Sequence, residues 1–185
     1  MAIRIKHTHE VSDDELRELS HENPGYQFER DREGRLVVSP TGGQSGRRSA
    51  EILAHLRNWA ELRNAGPVFD SSTGFRLPDG SLRSPDAAWI SKERWESLSE
   101  EERDGFPPLC PDAVFEVRSR GDSVEELRAK LRAYAENGAR VAVMIDPYNR
   151  SVDVLSLSGV ARPDYGLVDL GTELPGFKLD LRSLD

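Results

Sequence analysis

The chain has 185 residues, of which 37% are hydrophobic and 31% charged, and this size and composition predict one soluble globular domain over residues 1–185. No apolar run approaches membrane-spanning length, and the single cysteine, Cys110, excludes an internal disulfide and a multi-cysteine metal site, so a cytoplasmic location is expected. The formal net charge of −8 argues against a protein that coats nucleic acid non-specifically, although it is compatible with a local basic cleft.

The N-terminal segment predicts a helix followed by a hairpin. Met1 to His9 lacks the apolar stretch of a signal peptide. Ser12 followed three residues later by Glu15 has the spacing of a capping box, which marks the start of a helix. Two strand-like runs then come within a few residues of each other, and the turn-like Asp31–Gly34 joins them: Tyr26–Glu29 and Leu36–Val38.

The middle of the chain predicts one long helix and several short strands. A glycine-rich loop, Pro40–Gly46, leads into residues Ser45–Asn64, where apolar residues recur at helical spacing. Three strands are predicted next, with an Asp79-Gly80 turn between the last two: Val68-Phe69, Gly74–Leu77 and Ala87–Ile90. Ser91–Leu98 predicts a short helix, and the charged stretch Glu100–Cys110 predicts a loop.

The second half contains a strand–helix–strand pattern. Ala113–Val117 and Val141–Ile145 are apolar runs typical of buried strands. Between them, Ser123–Asn137 has a capping serine and is followed by Gly138, where a helix C-terminal glycine belongs. Ser151–Leu157 alternates as an exposed antiparallel neighbour would. These elements predict a single α/β domain with a mixed sheet.

Glu116 is the strongest single indication of function. It interrupts an apolar strand, where a carboxylate is costly unless it is paired or bound to a metal. Side chains alternate along a strand, so Glu116 and Arg118 share one face while Phe115 and Val117 pack on the other. The alternative is a solvent-facing edge residue, or an ion-pair partner of Arg118 or Arg120.

Two Pro-Asp pairs compete for the role of a second carboxylate. Asp112 precedes Glu116 by four residues, and at about 3.3 Å per residue the two would stand roughly 13 Å apart on one strand. A single cation with ligands at about 2.3–2.6 Å cannot bridge that gap, so Asp112 is expected to cap the start of the strand. Asp86 directly precedes a different strand, and the folding of the chain can bring that strand next to the one that carries Glu116. The alternative interpretation is that Asp86 is an ordinary turn aspartate after a proline.

Lys130 lies at the edge of the apolar stripe of the last predicted helix. A helical period places it beside Leu127 and Tyr134, so its stem can lie on the core while its amine reaches the sheet. The alternative is a surface lysine. Arg128, on the opposite edge of the stripe, is a candidate phosphate contact. Two carboxylates and an amine are what metal-assisted phosphodiester hydrolysis requires.

The remaining candidates are weaker. The histidines have no metal-binding spacing and are expected at the surface: His7, His9, His21 and His55. The loop before the first long helix could hold a phosphate, with Arg47 and Arg48 adding charge, but it lacks the lysine of a nucleotide-binding loop. Glu51 could add a carboxylate, although a solvated helix face is the simpler interpretation.

These residues together resemble a known family, Uma2, formerly DUF820. The resemblance rests on Ser84-Pro85-Asp86, on the block from Pro111 to Ser119, and on Lys130–Tyr134, Gly138 and Met144–Pro147. It covers nearly the whole chain. The family is similar to the PD-(D/E)XK nuclease superfamily, and the resemblance implies a restriction-endonuclease-like fold, with a mixed central sheet flanked by helices and an N-terminal hairpin.

The resemblance also implies roles for individual residues. Asp86 and Glu116 would be the metal ligands, and Lys130 would take the place of the superfamily lysine that normally follows the acidic residue by two positions. Arg118 occupies that position in this chain. The first long helix lacks the histidine often found near its start in the family and has Gly46-Arg47-Arg48 there.

The resulting hypothesis is an endonuclease that hydrolyses phosphodiester bonds in DNA with Mg²⁺ or Mn²⁺. Asp86, Glu116 and the backbone carbonyl of Val117 would bind the metal, and Lys130 would orient the attacking water. Arg47, Arg48, Arg118 and Arg128 are candidate substrate contacts. Two alternatives stay open: a non-catalytic scaffold that binds nucleic acid or a protein, and a metal-dependent hydrolase with another substrate. A homodimer is an expectation by analogy alone.

Overall fold

The computed structural model describes residues 3–5, 11–40 and 42–185, and it has a mixed α/β architecture. In this part of the chain the helices are α1 (Asp13–Glu22), α2 (Gly43–Arg63), α3 (Lys92–Glu96), α4 (Glu100–Asp104) and α5 (Val124–Glu136), followed by a 3-10 turn at Leu181–Leu184. The strands are β1 (Ile3–Ile5), β2 (Tyr26–Arg30), β3 (Leu36–Pro40), β4 (Val68–Asp70), β5 (Phe75–Arg76), β6 (Leu82–Arg83), β7 (Ala87–Trp89), β8 (Ala113–Val117), β9 (Val141–Asp146), β10 (Ser151–Ser156), β11 (Gly159–Ala161), β12 (Leu167–Asp169) and β13 (Lys178–Asp180).

The central sheet has six strands in the order β11-β10-β9-β8-β7-β4. Its one parallel pair is β8 with β9, which α5 connects, and its other pairs are antiparallel. A second, antiparallel sheet has the order β1-β3-β2-β6-β5, and β12 pairs with β13. The chain passes from the second sheet to the central one between Arg83 and Ala87, so the two sheets meet at the segment that carries Asp86.

The two faces of the central sheet are covered by different helices. Phe115 and Val117 pack in one apolar cluster with residues of α2, such as Ile52 and Leu56. Val114 belongs to a second cluster with Leu131 and Tyr134 of α5. Because side chains alternate along β8, Glu116 shares the face of Val114 and points toward α5.

A smaller apolar cluster fixes the N-terminal layer. Leu16 of α1 is fully buried against Phe28 and Leu36 of the β2–β3 hairpin. Ser12 and Glu15 form the capping box expected for α1, with the Glu15 amide donating to Ser12 Oγ at 3.2 Å and the Ser12 amide to Glu15 Oε2 at 2.7 Å. This layer holds β2, whose Glu29 contacts Lys130 in the middle of α5.

Most of the predicted fold is confirmed. The N-terminal hairpin, the strand–helix–strand unit and the antiparallel β10 occur where the sequence predicts them. Helix α2 begins at Gly43, two residues earlier than predicted. The described part of the chain contains no helix long and apolar enough to cross a membrane.

Two predictions of secondary structure were wrong. The Asp79-Gly80 turn joins β5 to β6, a two-residue strand that the prediction lacked, and not to β7. The stretch Glu100–Cys110, predicted as a loop, contains α4. This helix begins after a second capping box, formed by Ser99 and Glu102, which the prediction overlooked because the segment is highly charged.

Candidate active site

Strand pairing brings Asp86 and Glu116 together. Ala87 of β7 lies opposite Phe115 of β8, so the next step of this antiparallel register sets Asp86 across from Glu116, on the same face of the sheet. The Val117 amide donates to Asp86 Oδ2 at 2.7 Å and fixes the aspartate at this position. Two carboxylates that are distant in sequence therefore face one another at the end of two adjacent strands.

Lys130 binds the carboxylate of Glu116. Its Nζ lies 2.7 Å from Glu116 Oε1, and only 16% of the lysine side chain is exposed. The lysine sits on α5, which packs on the face of the sheet that Glu116 shares. The three residues that the sequence pattern selected thus occupy one cluster.

Glu29 is a member of this cluster that the sequence analysis missed. Lys130 Nζ lies 2.9 Å from Glu29 Oε1, and the Ser84 amide donates to the same oxygen at 2.7 Å. Arg83 Nη1 stands 3.7 Å from Glu29 Oε2. Glu29 comes from β2 of the other sheet, so Lys130 joins carboxylates of both sheets.

Tyr134 also contacts Glu116. Its hydroxyl donates to Glu116 Oε1 at 2.9 Å, and the tyrosine side chain is fully buried one helical turn after Lys130. Two donors from α5 therefore hold one oxygen of the glutamate. This fixes the direction of the carboxylate within a buried environment.

Burial and pairing shift the pKa values of the cluster in different directions. Burial raises the pKa of Glu116 to about 7, against the opposing effect of Lys130. Burial also raises the pKa of Asp86, although the hydrogen bond from Val117 opposes it. For Glu29 burial is opposed by Lys130 and Arg83, which together lower its pKa. Burial by itself would lower the pKa of Lys130. The charges of Glu116 and Glu29 outweigh this effect, so the pKa is raised and the amine stays protonated.

The cluster lies in a cavity of about 640 Å³. Carboxylates outnumber cationic side chains among the residues that line it. The acidic members are Glu29, Asp31, Glu33, Asp86, Glu116, Asp122, Glu126 and Glu136, and the cationic ones are Arg32, Arg35, Arg83, Lys130 and Arg132. This excess of negative charge favours cations in the cavity and repels a polyanion unless a cation is bound first.

The donor set suits a hard divalent cation held by few protein ligands. No group of three or more acidic, histidine or cysteine side chains is gathered at metal-binding distance in the described ranges 11–40 and 42–185. Mg²⁺ commonly takes only one or two carboxylates and completes its shell with water and substrate phosphate. Asp86 and Glu116 fit that mode of binding.

The backbone at Val117 faces the Asp86 side of the strand. The Arg118 amide donates to Ile145 of β9 at 2.8 Å, and successive residues of a strand point their backbone groups to opposite neighbours. The Val117 amide and carbonyl therefore both point toward β7. The carbonyl remains a predicted metal ligand.

The structure does not bring the four predicted substrate arginines to the cavity. Arg47 and Arg48 donate to backbone carbonyls at the C-terminus, including Leu184 at 2.9 and 2.8 Å. Arg118 pairs with Asp146 at 2.9 Å, and Arg128 with Asp153 at 2.6 Å. The sequence around each arginine could not predict these partners, because the partners lie in segments that are distant along the chain.

Asp112 has the structural role that the spacing argument predicted. It is 1% exposed, accepts from the Ser91 amide at 2.8 Å, and pairs with Arg94 and Arg140 at 3.0 and 2.9 Å. Glu51 pairs with His55 at 3.5 Å on the partly exposed flank of α2, and His21 is exposed. His7 and His9 lie outside the described residues.

The fold and the position of the acidic–lysine cluster define a restriction-endonuclease-like α/β protein. The model of the Uma2 family, described as "Putative restriction endonuclease", matches residues 13–182, so the chain belongs to the Uma2 family. A crystal structure of a "putative nuclease belonging to DUF820" from Anabaena variabilis is similar, with a TM-score of 0.72, 18% sequence identity, and coverage of 91% of this chain and 96% of that one. At this identity the likeness concerns the fold. The comparison with curated proteins gave no match.

Proposed function

We propose that the protein is a Mg²⁺-dependent endonuclease that hydrolyses phosphodiester bonds in DNA. The observation that carries the proposal is the juxtaposition of Asp86, Glu116 and Lys130 in one acidic cavity. Asp86 and Glu116 would hold the metal, and Mn²⁺ would serve in place of Mg²⁺. The bound cation would supply Lewis-acid activation of water and charge neutralisation at the phosphate.

The residues of the chain would prepare the site for this reaction. Lys130 uses two of its three N–H donors on Glu29 and Glu116, and a third donor can hold the attacking water or a phosphate oxygen. Water would add to phosphorus as the bond to the leaving sugar oxygen breaks. The water loses one proton and the leaving oxygen gains one, so the protein's charge is unchanged over the reaction.

The first test is cleavage itself. Purified protein is expected to nick or linearise plasmid DNA with Mg²⁺ and to do nothing in EDTA. Asp86→Asn should abolish cleavage, because it removes a metal ligand, whereas Glu51→Gln on the outer flank of α2 should cleave like the wild type. Cleavage in EDTA, or undiminished cleavage by Asp86→Asn, would contradict the proposal. Metal-dependent DNA binding without cleavage would instead favour a non-catalytic scaffold.

Metal binding is expected to depend on pH through Glu116. Its raised pKa, about 7, means that below this pH a proton must leave before a metal can bind. Mn²⁺ affinity should therefore rise between about pH 6 and pH 8 and level off above. Calorimetry in two buffers of different ionisation enthalpy measures the proton release, and Glu116→Gln should release none. An affinity that is constant over this range would show that Glu116 is already ionised.

A further inference from the structure

Arg83 is an incompletely paired cation in the wall of the cavity. Its side chain is 13% exposed, and its ion pair with Glu29 is 3.7 Å long, beyond normal hydrogen-bond length. The Arg83 Nε is buried and has no hydrogen-bond partner among the described residues. Buried donors are normally satisfied, so the described residues hold this guanidinium incompletely. The part of the Arg83 side chain that borders the cavity can therefore take an external acceptor.

The position of Arg83 connects it to the proposed metal ligands. It ends β6, and Asp86 precedes β7 three residues later, so both belong to the crossover between the sheets. Arg83 also borders Glu29, the carboxylate that Lys130 joins to Glu116. An acceptor held by Arg83 would therefore lie beside the reacting group.

The charge of the cluster indicates what this acceptor is. Three carboxylates, when ionised, exceed the two cations Lys130 and Arg83 by one negative charge. A divalent cation would convert this excess into one positive charge, which matches a single phosphodiester group. Guanidinium is well suited to phosphate oxygens, because its planar donors can contact two of them at once.

We infer that Arg83 is the phosphate-binding residue of this cavity and contacts a non-bridging oxygen of the scissile phosphodiester once the metal is bound. This inference rests on the proposed function. It assigns the anion contact to the cavity wall and not to the four arginines predicted from the sequence, which bind other partners. It also makes metal and phosphate binding cooperative, since each neutralises charge that disfavours the other.

Arg83→Met separates this role from a structural one. Removing a cation beside the metal ligands should leave Mn²⁺ affinity unchanged or tighter in calorimetry without DNA. Affinity for short fluorescein-labelled DNA in Ca²⁺, measured by anisotropy, should fall about 10- to 100-fold, as expected for the loss of a charge-assisted hydrogen bond to phosphate. The DNA affinity of Arg83→Lys, which keeps the charge, should lie between those of the wild type and Arg83→Met.

Arg132→Met is the matched control, because it removes an exposed arginine from the wall of the same cavity. Its DNA affinity should change by no more than about twofold, as expected for one screened surface charge. Intact metal binding with unchanged DNA affinity in Arg83→Met would overturn the inference. Weaker binding of both metal and DNA, with a lower unfolding midpoint, would also overturn it and leave Arg83 as a support for Glu29. Absence of metal-dependent DNA binding in the wild type would overturn the proposed function as well.

Discussion

Replacing Glu116 by Gln is expected to lower the proposed Mg²⁺-dependent DNA cleavage by about 10³-fold, because the loss of a proposed metal ligand would remove several kcal/mol of transition-state stabilisation. The substitution keeps the shape of the side chain, and an amide can still accept the hydrogen bond from Tyr134. It also removes a buried charge that the protein stabilises incompletely, as the raised pKa of Glu116 shows. The variant should therefore fold at least as well as the wild type.

The measurement is single-turnover cleavage at saturating enzyme, combined with Mn²⁺ calorimetry. Tyr134→Phe is the matched control, since it removes a donor to the same oxygen and leaves the carboxylate in place. It should retain most metal affinity and lose far less activity than Glu116→Gln. Equal cleavage by wild type and Glu116→Gln would remove Glu116 from the metal site.

Replacing Lys130 by Met is expected to destabilise the protein by about 3–5 kcal/mol at pH 8, the usual cost of leaving buried charges without their partner. Glu29 and Glu116 would both lose the amine that lies 2.9 and 2.7 Å from them. The loss should be much smaller at pH 5. Without Lys130 the folded-state pKa of each glutamate rises above its unfolded value, so stability is retained at low pH and lost as the pH rises through the folded pKa.

Urea unfolding at pH 5 and pH 8 measures this difference. Lys92→Met is the control, because Lys92 is exposed and its ion pair with Glu96 is 3.8 Å long. It should change stability by less than about 0.5 kcal/mol at either pH. An equal loss at both pH values in Lys130→Met would show that the lysine stem, and not its charge, stabilises the fold.

The sequence predicted the part of the site that local patterns encode. Glu116 stands out because it interrupts an apolar strand, and Lys130 because it borders a helical stripe one turn before Tyr134. Asp86 could be chosen over Asp112 because strand geometry separates Asp112 from Glu116. The fold around them followed from the same patterns, together with the capping residue Ser123.

The missed residues depend on contacts between distant segments. Glu29 lies in a polar hairpin strand, and nothing in its neighbours indicates that α5 will cover it. Arg83 is part of a two-residue strand that sequence patterns rarely resolve. Arg47 and Arg48, in the first turns of α2, were predicted from their charge alone, whereas the C-terminal carbonyls that accept from them become neighbours only in the folded chain.

The joining of the two sheets by Lys130 has a consequence for the order of folding. Glu29 is made early in synthesis, yet its partner Lys130 lies roughly a hundred residues later, and contacts of such long sequence separation form late. A nascent or partly folded chain would therefore expose its carboxylates singly and hold no metal strongly. The proposed metal site would therefore be complete only after α5 docks on the sheet and brings Lys130 to both glutamates.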